Sequence, residues 1–513
     1  MSLAPRPQRV ARLALSTLGP VASAELVGAD VAVTGVTAAS TDVRPGDVFA
    51  ALPGHSAHGI RFLDAAQAAG AVAVLTDEVG AGPAAGRLPA LITADPRRVL
   101  GPVSAQVYGW PSRRLPVLGV TGTSGKTTTS FLLRAGLSAA GIRTGLLGTV
   151  GVFLDGQSVK LPFTTPEAPQ LQALLAVMHE QGLQAVAMEV SSHALQLGRV
   201  DGTEFAAAGF TNLSQDHLDF HPDMEHYFAA KARLFDGRAR REVVVVDDSW
   251  GRRLVGPDTV TVSTTAEAGQ WQALDLVTRA DGGTDFRVRA PQGEFRAGCR
   301  IPGRYNVANT LLALALLAQL DLDPVAVAPA LAQAQVPGRM ERVDGDQPFL
   351  AVVDYSHKPA GVSGALQALR PLTTGRLIIV LGCGGDRDQG KRPVMGEVAA
   401  RGADVLIVTD DNPRSEDPAA IRAAMLAGAV AVPAAESAEI IESGDRRQAI
   451  EIAIGLASKG DTVLVAGKGH ETGQEVAGTM LAFDDVSVLR DALSARGFEP
   501  ALVARPGTEL SSP

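Results

Sequence analysis

Short apolar runs alternate with longer amphipathic stretches along most of this chain. Residues 115–120, 184–190 and 206–211 are apolar runs of strand length, and the stretch 125–140 repeats apolar residues at helical spacing through Phe131, Leu132 and Leu133. Strands apolar on both faces belong to a parallel sheet covered by helices, so this part predicts a mostly parallel, doubly wound α/β sheet. The last third repeats the rhythm, with runs at 377–381, 405–408 and 463–465 separated by helical stretches, and predicts a Rossmann-like α/β domain. Between about Glu242 and Arg300 the pattern shortens to alternating strands such as 243–246 and 286–290, with a turn at Asp281, Gly282 and Gly283; an antiparallel β extension is expected there.

The first ~110 residues read as a smaller α/β unit. Residues 62–69 form a helix stopped by Gly70, 71–75 a buried strand, and Asp95 with Pro96 opens a helix running through Val107. Breakers at Gly109, Trp110, Pro111 and again at Pro337, Gly338 divide the chain into domains at 1–110, 111–336 and 337–503, with a frayed tail at 504–513. A length of 513 residues agrees with three domains, since one core seldom serves more than ~250–300 residues.

Composition narrows the function class. A net charge of −9 leaves no basic footprint for nucleic acid, so anion binding must come from local cationic pockets. The two cysteines, Cys299 and Cys383, are far apart in sequence and suggest neither a disulfide framework nor a zinc site. No apolar run reaches ~18 residues and the N-terminus lacks a signal pattern, so a cytoplasmic protein without membrane insertion is expected.

The strongest chemical signal is the segment TGTSGKTTT, Thr121 to Thr129, between the run 115–120 and the helical stretch after it. Gly122 and Gly125 permit a tight turn, the amides from Ser124 to Thr127 open a helix toward phosphate, Lys126 adds charge, and the Thr127 hydroxyl suits Mg²⁺. Polar residues also gather directly after other strands, at 189–193, 212–221, 354–357, 382–388, 410–414 and 467–471, where open α/β sheets bind ligands. Glu189 closes an apolar strand and is read as a Mg²⁺ ligand, with His217 as a second. Lys231 lies within an apolar helix face, with Tyr227 and Phe228 before it and Leu234 and Phe235 after it. Burial there favours a neutral amine able to capture CO₂ as a carbamate, whereas a snorkelling lysine is the plainer alternative.

Taken together the motifs resemble the Mur ligases, in particular the UDP-N-acetylmuramoyl-tripeptide synthetase branch, over nearly the whole chain. They are TGTSGKTTT, TTPEA from Thr164, MEVSSHAL from Met188, TNLSQDHLDFH ending at His221, GRYNVAN from Gly303, GRME from Gly338, DYSHKP from Asp354, GCGGDRDQGKRP from Gly382, DNPR from Asp411 and GKGHE from Gly467. The loop lacks the first glycine of the usual eight-residue pattern, Val120 standing there, and is similar to the shorter GTxGKTT form of this family.

The resemblance implies an ATP-dependent ligase that activates the D-glutamate carboxylate of UDP-MurNAc-L-Ala-D-Glu as an acyl phosphate and joins it to a diamino acid. By that resemblance Gly122, Thr123, Ser124, Gly125, Lys126, Thr127 and Thr128 hold the ATP phosphates, and Asn306, Arg339 and Asp354 complete the nucleotide site by closure of the C-terminal domain. Thr127, Glu189, His217 and carbamylated Lys231 would organise two Mg²⁺ ions. Thr164, Thr165, Ser191 and Arg199 would meet the MurNAc-peptide, and the region of Ser40 the uridine diphosphate. Here the chain departs from the family's DSR form: Ala39, Ser40, Thr41 lacks the arginine, and Asp42 is expected to bond in its place. Leu197 likewise stands where some relatives carry a polar residue.

For the amino acid the resemblance assigns Arg387, Asp411, Asn412, Pro413, Arg414, Gly467 and Glu471. An arginine fork pairs with the second carboxylate of meso-diaminopimelate, which lysine and ornithine lack, and Glu471 would meet the distal ammonium. A monomer acting on small molecules is expected. Lysine- or ornithine-adding homologues, a folylpolyglutamate synthase and a P-loop NTPase switch without ligation are the alternatives.

Overall fold

The structure is a computed structural model describing residues 5–54, 57–154, 157–159, 161, 163–265, 269–279 and 281–499; the expected tail at 504–513 lies outside the described residues. The chain falls into two compact units, one drawn from Met1–Ala273, Val288–Glu294 and Ala308–Leu331, the other from Leu274–Arg287, Phe295–Val307 and Ala332–Pro513.

The first unit opens with a five-stranded sheet in the order Glu25–Val27, Ala90–Ile92, Ala73–Thr76, Asp47–Ala50, Gly35–Thr37, parallel except for the Glu25–Val27 edge. The helix Pro96–Val107 begins where the sequence expects: Asp95 accepts a bond from the Arg98 amide at 3.1 Å and Pro96 occupies the first turn, where no amide partner is lost. Leu15, Val48, Leu75, Leu100 and Val103 form a core that continues into Ala168 and Ala173 of the helix Ala168–Glu180, so this small domain shares its interior with the next segment.

That next segment carries an 11-stranded sheet. Within it the strand Val117–Thr121 is flanked in parallel by Ala185–Glu189 on one side and Ala207–Phe210 on the other. Thr144–Gly148 lies beyond Ala185–Glu189, also in parallel. The chain thus leaves Val117–Thr121 in one direction and later returns to its other side, which opens a crevice at the carboxyl ends. The antiparallel extension expected from about residue 242 begins later than expected. Glu242–Val245 and Val260–Ser263 pair in parallel with their neighbours, because a crossover containing the helix Ser249–Arg252 separates them. Trp271–Thr278 also pairs in parallel with Val260–Ser263, and the hairpin-length links that join Trp271–Thr278, Thr284–Ala290 and Gly293–Cys299 in succession make the antiparallel extension.

The second unit holds a six-stranded sheet ordered Glu341–Arg342, Leu350–Asp354, Thr462–Ala466, Leu377–Leu381, Val405–Val408, Glu439–Glu442. All but the first strand are parallel. Insertion of the late strand Thr462–Ala466 between two early ones brings the loops after residues 354, 381, 408 and 466 to one edge.

Candidate active site

Two glycines shape the loop after Val117–Thr121. Gly122 has φ +147° and Gly125 φ +89°, and a Cβ on either would collide, with Thr211 in the first case and Asn309 in the second. The loop is scaffolded from the neighbouring strand end: Asn212 accepts the Ser124 amide at 3.1 Å, and the Thr211 hydroxyl donates to the Ser124 carbonyl at 2.6 Å. Lys126, first residue of the helix Lys126–Ala139, directs its ammonium back to the carbonyls of Gly122 and Thr123 at 2.8 and 2.9 Å.

Behind the loop Glu189 is buried at 1 % exposure and hydrogen-bonded on both oxygens. It accepts from the Thr127 hydroxyl at 3.1 Å, the Thr149 hydroxyl at 3.0 Å and the Thr149 amide at 2.8 Å. This satisfies the burial argument made from sequence and adds Thr149, whose signal was a polar residue directly after the apolar strand Thr144–Gly148. Lys231 lies on the other side of the loop, also 1 % exposed, donating to the Gly122 carbonyl at 2.7 Å with its ammonium 4.5 Å from the centre of the Tyr227 ring. Tyr227 in turn shares a hydrogen bond with the Thr123 hydroxyl at 3.1 Å, and burial pushes its phenol well above the ordinary tyrosine range.

His217 has φ +53° and sits 3.4 Å from Asp216, its ring edge-on to His193 at 4.8 Å. Burial lowers the imidazole pKa of His193 and of His221, the latter bonded to the Ser192 hydroxyl at 3.0 Å, so both rings are neutral near pH 7. Among the described residues no three His, Cys, Asp or Glu side chains converge as a preformed metal cage. The hydroxyl and carboxylate of Thr127 and Glu189 nevertheless fit Mg²⁺, a hard ion that takes few protein ligands and completes its shell with phosphate and water.

Residues expected to meet the peptide gather at the same strand end. Thr165 donates to the Glu189 carbonyl at 2.9 Å and accepts from the Ser191 amide at 3.1 Å, Thr164 meets Thr149 at 3.1 Å, and Arg199 pairs with Glu167 at 2.8 Å. Near Ser40, which opens the turn Ser40–Asp42, a guanidinium arrives from outside the motif. Arg6 donates to both oxygens of buried Asp47 at 2.7 Å and to the Asp42 carbonyl at 2.9 Å. Among the described residues the Asp42 side chain meets only Gln170, at 3.5 Å. The following residues Gln8 and Arg9 donate their amides to Glu180, at the end of Ala168–Glu180, at 2.9 and 3.0 Å.

In the second unit Asp354 ends its strand and accepts the amides of Met340 at 2.7 Å and Ser356 at 2.9 Å, while Arg339 stacks over Tyr355 at 4.6 Å. Asn306 is buried and donates to the Pro302 carbonyl at 2.7 Å. Burial, reinforced by the charges of Lys358, Lys391 and Arg339, pushes His357 down to about 4, so it stays neutral among cations. Lys391 donates to the His357 carbonyl at 2.9 Å; it lies inside GCGGDRDQGKRP but carried no distinguishing pattern in sequence.

The amino-acid residues form a connected set. Asn412 donates to Glu471 at 2.9 Å and accepts from Lys468 at 3.0 Å, and Lys468 also meets Glu471 at 3.1 Å. Lys468 is fully buried and was missed; a lysine between two glycines directly after a buried strand was its signal. Arg414 adopts φ +52°, held by its amide to the Glu475 carbonyl at 3.0 Å and by the Ala477 amide to its own carbonyl at 2.7 Å. Its guanidinium donates to the Gly385 carbonyl at 2.6 Å and lies 3.4 Å from the Glu475 carboxylate. Arg387 is exposed on the neighbouring loop.

A glycine-turned loop on a parallel sheet, beside a buried carboxylate and a buried lysine, in a chain that also carries a Rossmann-like domain rich in charged strand-end loops, fits an ATP-using ligase. The chain belongs to the Mur ligase family. Family profiles described as "Mur ligase family, catalytic domain", "Mur ligase middle domain" and "Mur ligase, glutamate ligase domain" match residues 32–101, 120–317 and 338–469. The chain is 51 % identical over 497 residues to the UDP-N-acetylmuramoyl-L-alanyl-D-glutamate–2,6-diaminopimelate ligase of Streptomyces coelicolor, covering 95 % of this chain and 98 % of that one. It is 50 % identical over 461 residues to the ligase of the same name from Corynebacterium glutamicum, covering 88 % and 89 %. A solved structure of a diaminopimelate ligase of that name, 32 % identical, superposes with a TM-score of 0.68 over 95 % of this chain and 99 % of that chain. The three-domain α/β fold expected from the sequence is the fold of this family. No helix among the described residues is long and apolar enough to cross a membrane.

Proposed function

We propose that this chain adds meso-2,6-diaminopimelate to UDP-N-acetylmuramoyl-L-alanyl-D-glutamate, using ATP, in the synthesis of peptidoglycan precursors. The observation that carries the reading is Arg414, a rigidly held guanidinium in the DNPR loop of a chain half identical to two diaminopimelate ligases. A carboxylate is a poor electrophile, so its oxygen first takes the γ-phosphoryl group from ATP, releasing ADP; the amine then attacks the acyl carbon and phosphate leaves. Lys126 and the loop from Gly122 to Thr128 hold the triphosphate, and Asn306, Arg339 and Asp354 hold the rest of the nucleotide. Thr164, Thr165, Ser191 and Arg199 orient the peptide carboxylate. Arg387, Asp411 to Arg414, Gly467 and Glu471 hold the diamino acid, with Arg414 on its distal carboxylate and Glu471 on the distal ammonium.

Thr127, Glu189, His217 and Lys231 are the residues assigned to two Mg²⁺ ions, which when bound neutralise charge between the phosphates. Lys231 serves as a carbamate: once the ammonium has lost a proton the amine attacks CO₂, an N–C bond forms, and a second proton leaves to solvent. Its burial next to the phosphate loop supports this reading. Native protein showing an unmodified Lys231 beside bound metal, by intact mass or density, would falsify it. The chain is assigned to the cytoplasm, where ATP and nucleotide-linked precursors are available, and to a monomeric state.

The function is tested by ADP release with diaminopimelate, lysine and ornithine offered in parallel. Release that requires both the nucleotide peptide and diaminopimelate is expected; release indifferent to both substrates would mark a switch NTPase. Arg6 has its own test. Because it orders the loop from Asp42 to Asp47, Arg6→Ala should raise KM for the nucleotide peptide about tenfold, equivalent to one charged hydrogen bond, with KM for ATP unchanged. Thr41→Arg, which restores the family's arginine, should recover part of the loss; an unaltered KM in Arg6→Ala removes Arg6 from substrate binding.

A further inference from the structure

The roots of the two amino-acid loops meet on a single buried charge. Arg446 begins the helix Arg446–Leu456 and Asp485 the helix Asp485–Ala495, and both side chains are 0 % exposed. The guanidinium forks onto the carboxylate, Nε to Oδ1 at 2.8 Å and Nη2 to Oδ2 at 2.7 Å. Two further protons go to main chain: Nη2 to the Ala466 carbonyl at 2.9 Å and Nη1 to the Asp410 carbonyl at 3.4 Å. Ala466 is the residue before GKGHE and Asp410 the residue before DNPR. One side chain therefore ties together the exits of two strands, Val405–Val408 and Thr462–Ala466, which are separated in the sheet by Leu377–Leu381.

Above this tie the loops interlock. Gln474 donates to the Asp411 carbonyl at 2.7 Å, the Glu475 amide to Asn412 at 2.9 Å, and Lys468 bridges Asn412 and Glu471. Gly467, with φ +114°, passes so close to Asp411 that a Cβ there would stand 2.6 Å from its carboxylate. A small shift of either root moves Arg414 and Glu471 apart or together. The positive charge of Arg446 also interacts favourably with Asp411 and Glu471.

We propose that Arg446, locked by Asp485, is the positioning residue that sets the spacing and charge of the diamino-acid site, acting through the two loops and touching no substrate. A buried pair kept only for stability could be exchanged for apolar side chains at little cost, since such exchanges are often neutral or stabilising. Here the carbonyl tie and the charge would go with it. The inference rests on the diaminopimelate reading, and wild type without diaminopimelate-dependent turnover would defeat that reading before any variant is compared.

The test measures KM for diaminopimelate, ATP and the nucleotide peptide, with thermal midpoints, in the wild type, Arg446→Lys, and the paired exchange Arg446→Met with Asp485→Leu. Lysine keeps the charge and loses the fork; the paired exchange keeps a packed interior and loses both. In each, KM for diaminopimelate should rise about tenfold or more, as expected for a misplaced binding group, while the other two KM values stay within about twofold. The rise should be larger in the paired exchange, which also removes the field on Asp411 and Glu471. A folded paired exchange with wild-type KM for diaminopimelate overturns the proposal. So does a parallel loss of all three KM values and of the thermal midpoint in both variants, which would make the pair a scaffold element alone.

Discussion

Lys126→Ala is expected to lower ligase turnover by about 10²–10³, the usual consequence of removing one preorganised donor from a site of developing charge. The lysine is the first residue of its helix and its ammonium is drawn into the phosphate loop by the carbonyls of Gly122 and Thr123. Held there, it would meet charge in the proposed reaction as the γ-phosphoryl group passes from ATP to the carboxylate. The loop itself should survive the substitution, because its shape depends on Gly122, Gly125 and the bonds to Thr211 and Asn212. The thermal midpoint should then change little while ADP formation in a single turnover slows by the same factor as kcat. A variant with normal ADP formation and slow product release would place Lys126 outside the phosphoryl-transfer step.

Arg414→Ala should act on the other half-reaction and on choice of amine. A charged hydrogen-bonded pair contributes about 1.5–3 kcal/mol, so KM for diaminopimelate should rise roughly 10- to 150-fold. Lysine has no second carboxylate for this guanidinium, so its use should hardly change and the preference between the two amines should collapse. Arg414→Lys should recover only part of the preference, since an ammonium cannot present a planar fork to a carboxylate. The single-turnover burst of ADP formed on the enzyme with the nucleotide peptide, which precedes amine attack, should remain intact in both variants. Unchanged discrimination in Arg414→Ala would refute the assignment.

Much of the first site was legible because its signals are local. Gly122 and Gly125 are required where the backbone turns through positive φ, and Glu189 and Lys231 are charged residues set in apolar patterns, so each announces an unusual environment within a few residues of sequence. The parallel character of Glu242–Val245 and Val260–Ser263 was misread for a related reason. Alternation over four residues does not say whether the following link is a hairpin or a crossover. Thr149 and Lys468 carry only the weak signal of a polar residue directly after a buried strand, and Lys391 carries none, because Glu189, Asn412 and His357, which give them a role, are distant in sequence. The guanidinium that orders the turn at Asp42 comes from Arg6, 41 residues before Asp47 and outside any motif.

By itself the sequence determined the layered α/β class, the glycine-turned loop, the family and the residue types available for a carboxylate-activating ligation, because periodicity, glycine placement and motif order are carried by neighbouring residues. Tertiary structure alone decided which of those residues share a site. The strand Thr462–Ala466 enters between Leu350–Asp354 and Leu377–Leu381, and that insertion sets Lys468 against Asn412 and lets Arg446 hold the roots of both loops. Strand order is settled by how whole faces pack, and that information is spread over the entire chain.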